Sequence, residues 1–440
     1  MKEFIDKLSD TGWGDLTNES IEASRKVLLD TVSAMIAGSY EEQSKDLVSQ
    51  MSNDNSGKYN VVGSNQTFNL STAGFINGSA AVAVELDEGN QWSKGHPAAH
   101  IVPTLLTYIQ KKSQFNGKSF LLNLIKSYEV CSRFGRATTL LPDAHAHGTW
   151  GVPGATASVS FIEDIKSEEL LDVLNISASF SMPTMWESAL GGKLIRNVYV
   201  GQAVESAIKS IDLLKAGYYA PENAVKYIYG NVLGTEFDTS VFKNQLYHWD
   251  IEKNYFKDHA FCRYAHAPLD ALKKLVKNHV INTADIKKIK VWTYSRAATL
   301  NNKSYNNTLS AKFSIPFALA AWLKTSRSDH SVFDEKTLKN PDIRKLAEKV
   351  DVYPSEELEK NYPTIMPAKV EIILNTGQSY SQQVDQADTG LGENVTFKHL
   401  EEKFRVNTNQ ISTKKQDRII DYIMNIENQN NVTDFIKMLS

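Results

Sequence analysis

The hydrophobic period changes once along this chain, near residue 264, and that change constrains the fold more than any other feature. Before it, apolar residues recur at helical spacing. In "TNESIEASRKVLLDTVSAMIAG" they fall at Ile21, Val27, Leu28, Val32, Met35 and Ile36, behind a Thr17/Asn18 cap and ahead of Gly38, read as a stop. "VGQAVESAIKSIDLLKAG" repeats the pattern through Val200, Val204, Ala207, Ile208, Ile211 and Leu214, and "KSFLLNLIKSYEVCSRFGRA" and "SEELLDVLNISASFSM" resemble it. Stretches rich in small residues, such as "GVPGATASVS", imply helices packed closely around a shared centre. After residue 264, "IKKIKVWTYS" alternates Ile289, Val291 and Thr293 against Lys288, Lys290 and Trp292, the period of a half-buried strand. "PAKVEIILNTGQSYSQQV" predicts a hairpin turning at Asn375-Thr376-Gly377, and "SIPFALAAWLKT" between the two predicts a helix. The expectation is a mainly α protein with a smaller α+β domain: helical over 1–263, α+β over 264–399, helical again over 400–440.

Length and composition narrow the function. At 440 residues the chain is too long for one simple core, and 42% hydrophobic with 22% charged residues is ordinary globular composition. A net charge of −3 without a long basic block argues against a nucleic-acid partner. The first twenty residues lack a signal-peptide core, and no apolar run approaches the ~18 residues a membrane span needs. No membrane partner is expected, and the expected compartment is the cytoplasm. Two cysteines, Cys131 and Cys262, exclude a disulfide framework and a four-cysteine zinc site. They also exclude dehydration on an iron–sulfur cluster held by about three cysteines.

Four stretches carry reactive residues. "ELDEGNQWSKGHPAAH" (85–100) places Glu85, Asp87 and Glu88 behind "NGSAAVAV", which reads as a buried helix end. Acids at a helix C-terminus oppose the dipole at a cost of about 0.3–1 kcal/mol each, so something must compensate them. His96 precedes Pro97, which biases it to extended backbone; a solvated acidic helix end is the plain alternative. "PDAHAHGTWGVPGATAS" carries His145 and His147, two apart and pointing the same way in an extended segment. A metal reading lacks a third ligand at a convincing spacing, which leaves acid/base or carboxylate-binding work, or a structural pair. "MWESALGGKLIRNVYVG" spaces Lys193, Arg196 and Tyr199 three apart, sharing a face in helical geometry ahead of a helix, where an anion would relieve the cations. A surface ion-pair patch is the alternative. "FKDHAFCRYAHAPLDA" gathers Lys257, His259, Cys262, Arg263, Tyr264 and His266. A Cys262 nucleophile needs an adjacent base, whereas Lys257 with Arg263 suits a carboxylate. The chain has no phosphate loop, no GxGxxG and no GxSxG. Together these features suit acid/base chemistry beside a carboxylate, with no metal or organic cofactor.

In this order the stretches resemble the MmgE/PrpD family, which includes 2-methylcitrate dehydratase, cis-aconitate decarboxylase and iminodisuccinate epimerase. The likeness rests on "ELDEGNQWSKGHPAAHIVPTLL", "HAHGTWGVPGATAS", "GGKLIRNVYVGQAVESA", "FKDHAFCRYAHAPLDA", "KFSIPFALA" and "PAKVEIIL…ENVTFKHLEEKFR", and it spans nearly the whole chain. It implies a large helical domain built from both chain ends, an α+β lid, a homodimer, and cofactor-independent catalysis in a cleft between the domains. By position it implies Glu85 and Asp87 in the acidic cluster, His96 in the Gly-His-Pro element, and His147 before the Gly-Thr-aromatic-Gly turn. The decarboxylase branch has a histidine at Pro142, a lysine at Arg196, a histidine at Tyr199 and at Cys262, and a tyrosine near Ile315. Lys257 is kept while those contacts are not, which argues against cis-aconitate as substrate. The expected activity is a hydro-lyase acting on a small di- or tricarboxylate. Asp87, His96, His147 and Lys257 are its expected catalytic residues; Glu85, His145, Lys193, Arg196, Tyr199, Cys262 and Arg263 are the expected substrate contacts. The alternatives are an epimerase exchanging an α-proton between His96 and His147, a decarboxylase of another acid, and a non-catalytic carboxylate binder.

Overall fold

The computed structural model describes residues 1–53, 56–243, 248–388 and 395–440. It divides into two compact units, Met1–Met185 with Ile195–Phe256 and Leu391–Ser440, and Trp186–Leu194 with Lys257–Gly390. The protein is mainly α with a smaller α+β part, as the change of period indicates. Glu393 and Asn394 of the late motif lie outside the described residues.

In the first unit the buried helices are Asn18–Ser39, Leu70–Val82, Pro97–Tyr108, Gly117–Ala137, Gly151–Ile162 and Tyr199–Lys215. Two short antiparallel ribbons accompany them, β1 (Ser56–Val61) with β2 (Ser64–Phe68) and β3 (Thr138–Leu140) with β4 (Gly234–Phe237). Thr17 caps the first of these helices by accepting from the Ser20 N–H at 3.1 Å. Helix Phe397–Asn407 returns the C-terminal part of the chain to Asn18–Ser39. Small residues let these helices touch backbone to backbone. A Cβ on Gly78 would lie 2.8 Å from the Gly201 Cα, where Leu70–Val82 crosses Tyr199–Lys215. Gly38 does not stop its helix, which runs on to Ser39; a Cβ there would lie 2.0 Å from the Ala80 carbonyl oxygen. The glycine marks a crossing instead. Gly78→Ala is therefore expected to destabilise the protein by about 1–3 kcal/mol through overpacking. Helix propensity alone predicts a gain of about 1 kcal/mol for the same change, so a denaturant titration separates the two by sign.

The second unit is built on a four-stranded sheet in the order β6-β5-β7-β8, with β5 Ile286–Thr293, β6 Val350–Pro354, β7 Ala368–Leu374 and β8 Ser379–Val384. β5 pairs parallel to β6 and antiparallel to β7, with Ile289 opposite Ile372 and Val291 opposite Val370. Ile286, Ile289, Val291 and Thr293 are buried, which is the predicted face. The hairpin from β7 to β8 turns at the expected Asn375-Thr376-Gly377, closed by the Leu374 N–H on the Gln378 carbonyl at 2.8 Å. β6 was not legible: Val350 is buried, but the four residues after it are half-buried or exposed and lack a clean alternation. Helices His266–Asn278 and Ile315–Thr325 pack against each other in this unit. The stretch Trp186–Leu194 joins it because Asn307 donates to the Gly192 carbonyl at 2.8 Å and Trp186 packs on Phe313. Among the described residues no helix is long and apolar enough to cross a membrane.

Candidate active site

The first of the acids that follow helix Leu70–Val82 is compensated by a buried cation. Arg196 donates from Nη1 to the Val82 carbonyl at 2.9 Å and pairs through Nη2 with the Glu85 carboxylate, both side chains being 1% exposed. A cation on the last carbonyls of a helix satisfies the dipole, so Arg196 offsets the unfavourable placement of Glu85. Lys403 ties the following turn to helix Asn18–Ser39, donating to the Leu86 carbonyl at 3.1 Å and pairing with Asp30. Glu85 holds φ 57°, the left-handed conformation, which turns the chain sharply out of the helix. Lys193, Arg196 and Tyr199 do not share a helical face. Leu194–Val198 is a 3-10 turn, Lys193 is exposed in the second unit, and Tyr199 opens the following helix. Arg196 is turned inward onto Glu85, so its charge is committed within the protein.

Beyond Glu85 the chain forms a tight loop, closed by hydrogen bonds between Asn90 and Gly95 and tied by Gly89 to Tyr255. The loop brings Asp87 to His96. The His96 Nδ1 lies 2.9 Å from Asp87 Oδ2 and 2.6 Å from the Glu88 carbonyl oxygen. Both partners are acceptors, so Nδ1 carries the proton and Nε2 keeps its lone pair. The Asp87 side chain is fully buried, whereas that of His96 is 14% exposed. A buried carboxylate orienting a reachable imidazole is the arrangement of a general base.

Glu88 holds this base from behind. Its carboxyl accepts from the Ala98 N–H at 2.7 Å, in the first turn of helix Pro97–Tyr108, and bonds the Tyr128 hydroxyl at 3.1 Å. Burial pushes its pKa up to about 8 against these two bonds, with Asp30 and Asp87 adding to the rise. Between the ordinary value of 4.5 and about 8, the folded protein holds a proton that the unfolded chain releases. Stability must fall as pH rises through that window, by up to about 1.4 kcal/mol per pH unit. Glu88→Gln is expected to remove that slope, which denaturation at pH values across the window measures.

Three more histidines surround His96. The His100 Nδ1–H donates to the His96 carbonyl at 3.0 Å and its Nε2 accepts from the Gly148 N–H at 3.4 Å. Burial lowers its pKa to about 4, so it is a neutral positioning group. The His145 Nδ1 accepts the His147 N–H at 3.0 Å, and its ring lies 4.7 Å from that of His147. The His147 ring stands edge-on to His96 at 5.1 Å and to His100 at 5.7 Å. His147 is fully buried, and among the described residues neither ring nitrogen has a hydrogen-bond partner. Burial, with Arg196 and the neighbouring histidines, holds its pKa well below the usual range. It is therefore a neutral imidazole with a donor and an acceptor to offer. Asp87, His96 and His147 each offer a possible metal-ligand atom, all within 4.8 Å of one another. With its Nδ1 proton on the Glu88 carbonyl oxygen, His96 has Nε2 to offer, beside the buried Asp87 carboxylate.

In the second unit Lys257 is fully buried, and Arg263, Cys262 and Lys312 are buried with it. Asp270 is the buried acid among the described residues there. The Cys262 N–H donates to the Lys312 carbonyl at 2.9 Å. Sequence reasoning missed His100, Glu88 as a support, and Lys312. His100 stands four residues after His96 on the helix Pro97–Tyr108, a spacing that could have found it. Lys312 opens the quoted "KFSIPFALA".

A family model described as the MmgE/PrpD N-terminal domain matches residues 2–236, and one described as the MmgE/PrpD C-terminal domain matches residues 259–428. The chain is 22% identical to a cis-aconitate decarboxylase of Aspergillus terreus, over 97% of this chain and 93% of that protein. It is 23% identical to the Homo sapiens cis-aconitate decarboxylase, over 94% of this chain and 89% of the relative. A cis-aconitate decarboxylase-like protein of Aspergillus oryzae is 20% identical over 97% of the chain.

Proposed function

Because the chain belongs to the MmgE/PrpD family, we propose that it is a cofactor-independent hydro-lyase that eliminates water from a small hydroxy-di- or tricarboxylate. The observation that carries this reading is the Asp87–His96 pair, a buried carboxylate holding a reachable imidazole with its Nε2 lone pair available. In the proposed step Nε2 takes the proton next to a substrate carboxylate. The electron pair left behind forms the C=C bond as the β-hydroxyl departs. The hydroxide leaves as water by taking the proton back from Nε2, and the enzyme is restored. Asp87 stabilises the transient imidazolium, and neutral His147 donates to the negative charge that develops on the carboxylate. Lys257 and Arg263 are assigned to substrate carboxylates, with His145, Lys193, Tyr199 and Cys262 as further contacts. Arg196 and Glu85 shape the turn that carries Asp87.

The decarboxylases among the relatives favour a second reading, in which CO₂ leaves and His96, entering the step as imidazolium, gives its Nε2 proton to the carbanion. Pro142, Arg196, Tyr199, Cys262 and Ile315 replace that branch's residues, which weighs against cis-aconitate. An epimerase needs two bases on opposite faces of the substrate. His96 and His147 at 5.1 Å, edge to ring, leave no room for a substrate between them. A homodimer is proposed on the family's precedent. The test is a panel of hydroxy-di- and tricarboxylates followed by alkene absorbance, with cis-aconitate followed by CO₂ release. Alkene from one panel member and no CO₂ from cis-aconitate are expected. No alkene from any member, or CO₂ from cis-aconitate, would overturn the dehydratase reading.

A further inference from the structure

The second unit holds a chain of side chains that the reaction above does not use. The His259 Nε2 lies 2.9 Å from Asp270 Oδ1, and its Nδ1 lies 2.8 Å from Ser328 Oγ. Asp270 is held from a second side by the Asp388 N–H at 2.8 Å on Oδ2, and Lys273 stands 3.7 Å from Oδ1. The bond to His259 is among the causes that hold the Asp270 carboxyl below its usual range despite burial, so it is a carboxylate that only accepts. That fixes the tautomer of His259. Nε2 carries the hydrogen bonded to Asp270, and Nδ1 presents a lone pair, so the hydrogen bond to Ser328 must be donated by its hydroxyl. The serine proton therefore points at a base whose far side is anchored by a carboxylate.

The framework around these atoms is fixed. The Ala260 N–H donates to the Ser328 carbonyl at 2.8 Å, tying the serine's loop to the residue that follows His259. Ser326, two residues earlier, takes the left-handed conformation at φ 55° and turns the loop at the end of helix Ile315–Thr325. His259 and Asp270 are buried and Ser328 is half-buried, so the serine is the least buried member of the chain. The His266 ring lies 4.8 Å from that of His259 and tilted 51° to it, with its own Nε2 on the Phe261 carbonyl.

We infer that Ser328, His259 and Asp270 form a second reactive site, in which Ser328 is an acylatable nucleophile toward activated esters. Oγ bonds to the acyl carbon as its proton passes to His259 Nδ1. The bond to the leaving alkoxide breaks, and the alkoxide departs as the alcohol with that proton. Water, deprotonated by the same nitrogen, then hydrolyses the acyl-serine and returns the free enzyme. A fluorophosphonate would react in the same geometry, forming an Oγ–P bond while fluoride leaves with the serine proton.

The test treats the full-length protein with a fluorophosphonate probe and p-nitrophenyl acetate, with mass spectrometry locating the label. Expected are one label per chain, mapped to Ser328, and ester hydrolysis at least tenfold faster than that of Ser328→Ala. His259→Gln is expected to lose labelling with its melting temperature retained, while alkene formation at the other site continues in Ser328→Ala. Absence of label on the folded wild-type protein would overturn the inference, as would a label on another residue or equal labelling of Ser328→Ala. Because the label is mapped on wild-type protein, a variant that fails to fold does not blur the result.

Discussion

His96→Ala is expected to lower kcat by about a thousandfold while leaving the melting temperature near that of the wild type. General-base catalysis by a positioned side chain contributes about 10²–10⁴, and in the proposed elimination no other group abstracts the proton. The neighbouring histidines cannot substitute. The nitrogens of His100 are spent on the His96 carbonyl and the Gly148 N–H, and both His100 and His147 are held neutral with weakened basicity. Asp87→Asn probes the same site without removing the imidazole. The Glu88 carbonyl still holds the proton on His96 Nδ1, so the amide leaves the tautomer in place and removes the negative charge that stabilises the imidazolium. A loss of at least about a hundredfold in kcat with little change in KM is expected, because that charge acts in the transition state. Steady-state kinetics beside a thermal melt distinguishes this from a folding defect. Wild-type kcat in either variant contradicts the assignment.

Arg196→Met is expected to cost the largest amount of stability, about 3–5 kcal/mol, because it leaves the buried Glu85 carboxylate without its cation. It also removes the donor on the Val82 carbonyl at the end of helix Leu70–Val82. The cost comes mainly from the orphaned charge, so Glu85→Gln in the Arg196→Met background is expected to recover most of it. A double-mutant cycle in urea measures this directly, and additivity of the two changes would contradict a direct pairing. The pair also fixes the turn that precedes Asp87. The same variant is therefore expected to lose kcat even under conditions where it remains folded.

The fold was legible where a single period ran unbroken. The helices and strand β5 follow from the spacing of their apolar residues, and the β7–β8 turn follows from Asn375-Thr376-Gly377. Gly38 was misread because a glycine near a helix end signals a stop locally, while the need for it arises from the Ala80 carbonyl forty-two residues away. The site was legible as residue types. Asp87, His96, His145 and His147 meet in the first unit because "ELDEGNQWSKGHP" folds back on itself and two histidines fall two apart. What the sequence hid were pairings across long separations. Arg196 reads as a substrate cation until its partner Glu85 is seen, one hundred and eleven positions earlier. Glu88 reads as one more acid, although its carboxyl caps the helix that begins just after His96. Local rules were broken at both places, by an acid at a helix C-terminus and by a cation ahead of a helix. Each breach marked a contact that only the tertiary structure supplies.

The central claim is that the Asp87–His96 pair removes a proton beside a carboxylate and carries the reaction through to an alkene. Proton NMR of the wild-type enzyme turning over a hydroxycarboxylate in D₂O tests it in one experiment. The account predicts that vinyl resonances grow as substrate disappears, and that His96→Ala produces none. Deuterium accumulating in recovered substrate with no vinyl signal, or alkene formed at the wild-type rate by His96→Ala, would contradict it.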